Sequence, residues 1–557
     1  MWSQGWRESV WTQLDVEFDL IVIGGGITGA GILREAARLG LKAVLFEQGD
    51  FASGTSSRSS KLVHGGLRYL KNAQVKLTWE SVHEREHLLK EGRGLVTPLP
   101  FVMANFRGDK TPGWVFGVGL TMYDIMALKW NHASYDLNGL HDLVPQLSSQ
   151  DLLSGFRYFD AQTDDARLVL RVLQEAVKDG ALALNYARVD GLLTCGTLDW
   201  PPGQAGAGTC TCGTGAGTCT CGTGAGKTRS HVTGVAVRDL APGSDKTIEV
   251  RARVVISATG AWADEMRNQV AGRARLRILR GSHLFLPQSK LPLTRAVTFL
   301  HPADGRPVYI LPWEGVTLVG TTDVDHETAP STDLHISRAE SEYLMASLTY
   351  AFPALGLSLA DVQSSLAGVR AVVDTGKADP SKESREFVLW NESGLLTVSG
   401  GKLTTFRLMA QTALRAVRAF LPGHPRLGSE GRVLDPLPPE SSLCDVPPEL
   451  RLRLMGRYGA EACNLVEAAQ PGELTAIAPS PSLWAELRWA ARSEGVVHLD
   501  DLLARRVRLN ITLPEGGMDE MEGIRKIAQP ELGWNDARWE QEAARYRRMW
   551  KEFYSPI

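Results

Sequence analysis

The chain has 557 residues, 43% hydrophobic and 22% charged, a globular balance that excludes disordered and collagen-like classes. Sixty Lys and Arg stand against 63 Asp and Glu, a net charge of −3 that argues against a dedicated nucleic-acid binder. No run of eighteen apolar residues occurs, so no membrane-spanning helix is expected. The opening MWSQGWRESVWTQ has neither a basic n-region nor an apolar h-region, which predicts no secretory signal and a cytoplasmic location.

Residues 19–26, DLIVIGGG, read as a buried strand entering a glycine turn. In the following ITGAGILREAARLG, the apolar positions Ile27, Ala30, Ile32, Ala36 and Leu39 recur at helical spacing, and Gly40 supplies the C-cap. LKAVLFE (41–47) is a second strand, so the chain opens with a strand–turn–helix–strand unit of a doubly wound sheet. Residues 48–72 are polar and rich in Gly and Ser, and 73–91 carry acid–base pairs at helical spacing. A mixed stretch reaches about 160, and 166–181 is again helical. Strand patterns fill 182–258, ending in VVISATG. Between about 275 and 395 alternating patterns such as SHLFLP, PVYILP and VTLVGTT predict a separate antiparallel sheet. GLLTVSGGKLTTFRLMAQTALRAV (394–417) repeats the strand, Gly-Gly, helix logic of the beginning. A Pro-rich linker follows, and 447–557 has the composition and spacing of a helical domain.

The seven cysteines are unevenly placed: Cys210, Cys212, Cys219 and Cys221 lie in a tract, 206–226, built only of Gly, Ala, Thr and Cys. The nonamer GAGTCTCGT occurs there twice and begins a third time, which excludes chance. Its readings are a C-x-C thiolate cluster, a duplicated low-complexity loop, or a string of base letters standing in a protein sequence. Structural zinc usually takes C-x₂₋₄-C pairs, so no metal is assigned. Without the tract, Cys195, Cys444 and Cys463 remain as isolated thiols, as expected of a reduced protein.

Gly24-x-Gly26-x-x-Gly29 after a strand and before a helix is a dinucleotide fingerprint: the glycines allow a tight turn, close approach of a pyrophosphate, and close helix–strand packing. The amides at the helix start, Ile27 and Thr28 included, then face the phosphates. Glu47, eighteen residues after Gly29, ends the second strand where an acid accepts hydrogen bonds from ribose, with Gln48 beside it. The fingerprint alone leaves FAD and NAD open. The return element Gly400-Gly401-Lys402 favours flavin, because a helix start there stabilises negative charge on the reduced ring.

The run GGGITGAGILREAARLGLKAVLFEQGDFASGTSSRSSKLVHGGLRYL closely resembles the FAD-dependent, aerobic-type glycerol-3-phosphate dehydrogenases. DDARLVL, ATGAWAD, RGSHLFLP, VGTTDVD, AGVRAV, SGGKLTTFR and ELRWAARSEGVVHLDDLLARRVRL extend the resemblance from about 17 to 550. Two departures stand out: the cysteine tract, and Ala371 after Arg370, where relatives commonly carry proline. The resemblance implies an α/β fold: a doubly wound FAD-binding domain of the glutathione-reductase-like or D-amino-acid-oxidase-like kind, an antiparallel-sheet substrate domain and an α-helical C-terminal domain. The expected boundaries are 17–90 and 91–274 for FAD binding (with 206–226 inserted), 275–395 for substrate, 396–425 for the FAD return, 426–446 for the linker and 447–557 for the helical part.

The implied substrate, glycerol 3-phosphate, is a dianion, for which Arg gives bidentate contacts. Arg68 with Tyr69, and Arg385 within a strand-like SREFVLW, are the candidates, joined by Thr404. By resemblance His283, Arg370 and Lys402 surround the reacting alcohol, and histidine is the natural base by its titration range. Thr55, Ser56, Ser57, Ser60, Lys61, His64, Gly65, Gly260 and Leu403 complete the expected flavin contacts. The reduced flavin is expected to pass electrons to a membrane quinone, with oxygen as the alternative. An amine or amino-acid oxidase and a non-catalytic flavin module are the other readings, and a homodimer is compatible with all of them. Peripheral attachment to the inner face of the cytoplasmic membrane follows from the resemblance, with Trp2, Trp6 and the basic, aromatic 538–554 as the expected contacts.

Overall fold

A computed structural model describes residues 2–70, 74–196, 230–378, 383–428, 431–444 and 446–557. The cysteine tract 206–226 lies outside the described residues. The chain forms two compact units, each assembled from three segments: Met1–Ser56, Val169–Ile278 and Arg370–Asp435 in the first, Ser57–Leu168, Leu279–Val369 and Pro436–Ile557 in the second.

In the first unit the strand Phe18–Ile23 is central. It pairs in parallel with Thr247–Ser257 on one side and Ala43–Phe46 on the other. Parallel sheets bury both faces, which is why these strands read as unbroken apolar runs rather than as alternation. Leu395–Gly400 extends the sheet in parallel beyond Thr247–Ser257, and Phe387–Glu392 folds back on it antiparallel. The helices Ile27–Arg38 and Phe406–Val417 meet at Gly31, where a Cβ would lie 2.8 Å from the Phe406 ring. At the N-terminus Trp2 is buried and donates Nε1–H to the Ala183 carbonyl at 3.2 Å. Arg7 donates to the carbonyls of Asn185 and Tyr186. The short helix runs only from Trp6 to Trp11, so Trp2 and Trp6 do not share a helical face.

The second unit carries a ten-stranded sheet, in which eight strands run in the order Val324–Asp325, Leu276–Pro287, Val316–Gly320, Pro307–Trp313, Ala296–Leu300, Val96–Phe106, Leu152–Thr163 and Leu62–Val63, while Ser364–Val373 pairs with Leu276–Pro287 and Ala133–Tyr135 with Leu152–Thr163. Along this order the neighbours are antiparallel apart from one junction: Ala296–Leu300 runs parallel to Val96–Phe106. The helical C-terminal region has its own apolar cluster, including Leu487, Leu502, Leu503, Trp539 and Tyr546. Ile511, Trp550 and Tyr554 join Phe101, Phe285 and Leu311 of the sheet in another, so this region and the sheet share a core.

Three expected boundaries are corrected. Residues 57–168, expected to bind FAD, belong to the second unit, because Val96–Phe106 and Leu152–Thr163 pair along nearly their whole length. The return to the first unit begins at Arg370 rather than 396, since Phe387–Glu392 is an edge strand of the first sheet. The expected linker 426–446 is in part packed: Val433, Leu434 and Leu443 are buried, and the buried Arg34 donates to the Val433 carbonyl at 2.9 Å. The termini are corrected as well. Trp539, Tyr546 and Trp550 of the helix Asp536–Phe553 are buried, so that helix spends its aromatic face on the core rather than on a membrane.

Candidate flavin cradle and histidine site

Three glycine turns of the first unit follow the carboxyl ends of three adjacent parallel strands: Gly24–Gly26 after Phe18–Ile23, Gly260 after Thr247–Ser257, and Gly400–Gly401 at the end of Leu395–Gly400. Open α/β sheets bind their ligands outside the carboxyl ends of such strands. Gly24 has φ +108°, and a Cβ there would lie 2.6 Å from the Ala258 carbonyl oxygen. At Gly29 a Cβ would lie 1.9 Å from the Gly24 carbonyl oxygen, so only glycine lets the helix approach the turn. Gly26 stands at the N-cap of Ile27–Arg38 without a side-chain cap of its own. The Ile27 amide donates instead to Ser56 Oγ at 2.9 Å, which places the expected serine at the helix start. Thr28 occupies the first turn of the helix, half-buried.

The Glu47 carboxylate is fixed from two sides, accepting from the Gly25 amide at 2.6 Å and the Gly49 amide at 2.8 Å. Burial raises its pKa, and the backbone amides oppose that rise. Gly25 is therefore a functional position that the three-glycine pattern does not single out: a Cβ there would lie 2.8 Å from Glu47 Cβ. Gln48 and Thr55 are exposed. At the return element the α-helix begins at Phe406; Lys402 precedes a 3₁₀ turn, Leu403–Thr405, in which Thr404 is buried. This corrects the expected helix start at Lys402. Arg370 lies in the strand Ser364–Val373, and the buried Arg385 lies in the loop before Phe387–Glu392, outside the strand expected to hold it.

The second unit holds the other expected residues. His283, on Leu276–Pro287, is 2% exposed, and its Nε2 lies 2.8 Å from Ser60 Oγ. On the neighbouring strand Gly320 stands directly opposite His283. A Cβ at Gly320 would lie 2.2 Å from His283 Cδ2, so the missing side chain is the space the imidazole occupies. The Ser60 loop is held by a buried ionic cluster. Lys61 Nζ donates to the Ser57 carbonyl at 2.7 Å and to both Asp165 oxygens at 2.8 Å. Arg508, from the helical region, donates to the same Ser57 carbonyl at 3.0 Å and to Asp165 at 3.3 Å. Ser59 Oγ donates to Asp165 at 2.7 Å. Burial, with Arg508 adding to it, pulls the Lys61 pKa down to about 8, against the opposing pull of Asp165. The Lys61 side chain thus shapes the loop from inside, which corrects the expectation of a direct cofactor contact. Asp165 and Arg508 carry this arrangement, and no spacing in the sequence connects them.

His64 is half-buried. The Gly65 amide donates to Asp160 at 3.0 Å, and a Cβ there would collide with the Tyr123 hydroxyl at 2.2 Å. Gly65 therefore serves close packing. Arg68 and Tyr69 occupy the short helix Leu67–Leu70; the expectations placed on their side chains lie outside the described residues.

The first unit fits an adenine dinucleotide flavin: a cradle whose turn has no room for a Cβ at Gly24 or Gly29, an acid at the end of the second strand, and glycine turns at the carboxyl ends of three adjacent strands. The Ser399 hydroxyl, buried at the end of the third of these strands, has no hydrogen-bond partner among the described residues.

Comparison with known proteins agrees. Residues 19–407 match the family model described as FAD dependent oxidoreductase. Residues 397–539 match the C-terminal domain of alpha-glycerophosphate oxidase. The chain is 32% identical to glycerol-3-phosphate dehydrogenase 2 of Mycobacterium bovis, over 98% of this chain and 92% of that protein. It is 36% identical to the aerobic glycerol-3-phosphate dehydrogenase of Bacillus subtilis, over 72% and 67% of the two chains. Among solved structures, the glycerol-3-phosphate dehydrogenase of Bacillus halodurans complexed with FAD superposes with a TM-score of 0.72 at 26% identity, covering 99% of this chain and 98% of that one. The Mycoplasma pneumoniae L-alpha-glycerophosphate oxidase with FAD bound shares the fold, with a TM-score of 0.54 at 16% identity over 76% of this chain and 99% of that one. Fold and cradle thus define an FAD-dependent oxidoreductase. Within that class the chain belongs to the FAD-dependent glycerol-3-phosphate dehydrogenase family.

Proposed function

We propose that this protein oxidises sn-glycerol 3-phosphate to dihydroxyacetone phosphate and passes the electrons to a membrane quinone while peripherally bound to the membrane. The observation that carries the reading is the 32% identity, over 98% of the chain, to a protein named for that dehydrogenation. Bound FAD supplies the acceptor for the hydride from C2. The residues do the rest. Arg385 and Arg68, with Tyr69 and Thr404, bind the phosphate dianion, to which a guanidinium offers paired donors. His283 takes the C2 hydroxyl proton at Nε2, the nitrogen that lies 2.8 Å from Ser60 Oγ. Arg370 and Lys402 stabilise the negative charge that grows on the C2 oxygen as the proton leaves. Gly24, Gly26 and Gly29 receive the pyrophosphate, Glu47 the ribose, and the loop 55–60 the ring.

Anaerobic addition of glycerol 3-phosphate should bleach the flavin absorbance; an unchanged spectrum overturns the reading. A second reading, oxygen as acceptor, is favoured by the match to the oxidase C-terminal domain. Reoxidation of the bleached enzyme by a ubiquinone analogue faster than by air supports the quinone; the reverse order supports oxygen.

A further inference from the structure

Lys61 and Arg508 share a backbone conformation rare outside glycine: both stand at φ +61°. The left-handed region crowds the Cβ of an L-residue and persists where the surroundings over-determine it, commonly at functional sites. Here the surroundings are shared. Both side chains donate to the Ser57 carbonyl and to the Asp165 carboxylate. Both cations lie over the Trp313 ring, 5.6 and 5.7 Å from its centroid. Lys61 and Asp165 are fully buried and Arg508 is nearly so. The same carboxylate accepts from the Ser59 amide at 3.0 Å and from the Ser59 hydroxyl at 2.7 Å. One acid and two cations therefore fix the chain at Ser57, Ser59 and Lys61. Ser60, between these anchors, meets His283 Nε2. A buried ion pair is weak grounds for stability, since packed apolar side chains of similar volume often do as well or better. What this cluster distinctively supplies is the placement of Ser60.

We infer, resting on the role proposed above for His283, that Asp165 and Arg508 are positioning residues for the proton-taking step. The helical C-terminal region then acts on the chemistry through Arg508. In the role proposed for His283, Nε2 carries no proton before the reaction, so the Ser60 hydroxyl donates and Nε2 accepts. The contact thereby holds the imidazole in the tautomer a base needs, with the proton on Nδ1. Ser60 has that effect only while its backbone stays in place. Arg508 is itself firmly mounted. It stands at the N-cap of the helix Leu509–Thr512, and its Nη1 donates to the Ala504 carbonyl at 3.0 Å. Its Nε lies 3.7 Å from Asp164, which also accepts from Arg457 at 3.1 Å. Arg457 belongs to another helix of the same region, Pro448–Tyr458. Lysine at 508 would keep the charge but lose the fork that reaches Ser57, Asp165 and Ala504 together.

The test uses the full-length holoenzyme with nitrogen-15-labelled histidine, as wild type and as the Arg508→Lys, Asp165→Asn and Ser60→Ala variants; His283→Gln assigns the imidazole signals. It reads the rate of flavin reduction against glycerol 3-phosphate concentration, and the His283 nitrogen shifts, which report its tautomer. In Arg508→Lys the limiting rate should fall at least about tenfold, with the apparent Kd within about twofold of wild type. The His283 signals should move toward those of Ser60→Ala, a change that lost stability alone does not make. Asp165→Asn should act in the same direction; should it fail to fold, Arg508→Lys decides. A wild-type rate with unmoved signals in Arg508→Lys would overturn the inference, as would a raised Kd at an unchanged limiting rate. Ser60→Ala at wild-type values in both readouts would overturn it too. Wild type that glycerol 3-phosphate does not bleach overturns the proposed function and the inference together; a bleached wild type with unmoved variants overturns the inference alone.

Discussion

Gly320→Ala tests whether the space beside His283 is functional. The added Cβ would lie 2.2 Å from His283 Cδ2, while nonbonded carbons settle at about 3.5–4.0 Å, so the ring must move by about 1.5 Å. At 2% exposure the ring has no open solvent to swing into, and its 2.8 Å contact with Ser60 Oγ is lost as it moves. The lost hydrogen bond costs about 1 kcal/mol of stability. The effect on chemistry is larger: a displacement of about 1 Å in a catalytic group costs about a hundredfold in rate. That is about 2.7 kcal/mol in the barrier. Flavin reduction by saturating glycerol 3-phosphate should therefore slow about a hundredfold in anaerobic stopped flow, with flavin content unchanged. His283→Gln should slow the same step without displacing the strand. Wild-type reduction rates in both variants, at full flavin content, would remove His283 from the chemistry.

Gly29→Ala should give protein with less than about a tenth of the wild-type flavin, read from the ratio of visible to ultraviolet absorbance, since its Cβ would lie 1.9 Å from the Gly24 carbonyl oxygen. Full flavin content in this variant would refute the cradle. Arg385→Ala should raise KM for glycerol 3-phosphate at least about tenfold and leave kcat within about twofold; an unchanged KM would end its phosphate role. Lys61 gives a pH signature. Its folded pKa, about 8, lies below the ordinary 10.5, so between these values the unfolded chain binds more protons and stability rises with pH. Lys61→Met leaves Asp165 its Arg508 partner and removes this term, so the wild-type free energy of unfolding should gain on the variant's from pH 8 to 10.5. Parallel curves in urea titrations across that range would contradict the assignment.

Much of the first unit was legible because its signals are local. The apolar run DLIVI, the glycines at 24, 26 and 29 and the acid at 47 lie within one stretch of chain, and each has a steric or hydrogen-bonding reason that spacing exposes. The sheet of the second unit was legible only in part. Val96–Phe106 and Leu152–Thr163 pair with each other across the sequence between them, which includes helix 113–127, so neither strand's alternation reveals its partner. The support of the Ser60 loop was not legible at all. Lys61, Asp165 and Arg508 are 104 and 343 residues apart in successive pairs, and nothing in the sequence indicates that three buried charges meet. Gly320 was visible as part of VGTTDVD, but its reason, room for an imidazole on the next strand, comes only from register. Residue type alone does not tell the tryptophans apart, whereas burial does: Trp2, Trp539 and Trp550 are inside, and Trp114 and Trp130 are outside.

Oxidation of sn-glycerol 3-phosphate by the bound flavin is tested most directly by anaerobic titration of the purified yellow protein with that substrate, followed at the flavin absorbance maximum. Stoichiometric bleaching is expected, with formation of one dihydroxyacetone phosphate per flavin and no bleaching by glycerol at equal concentration, because the phosphate-binding arginines then have no dianion to hold. A spectrum unmoved by glycerol 3-phosphate but bleached by an amine or amino acid would contradict it.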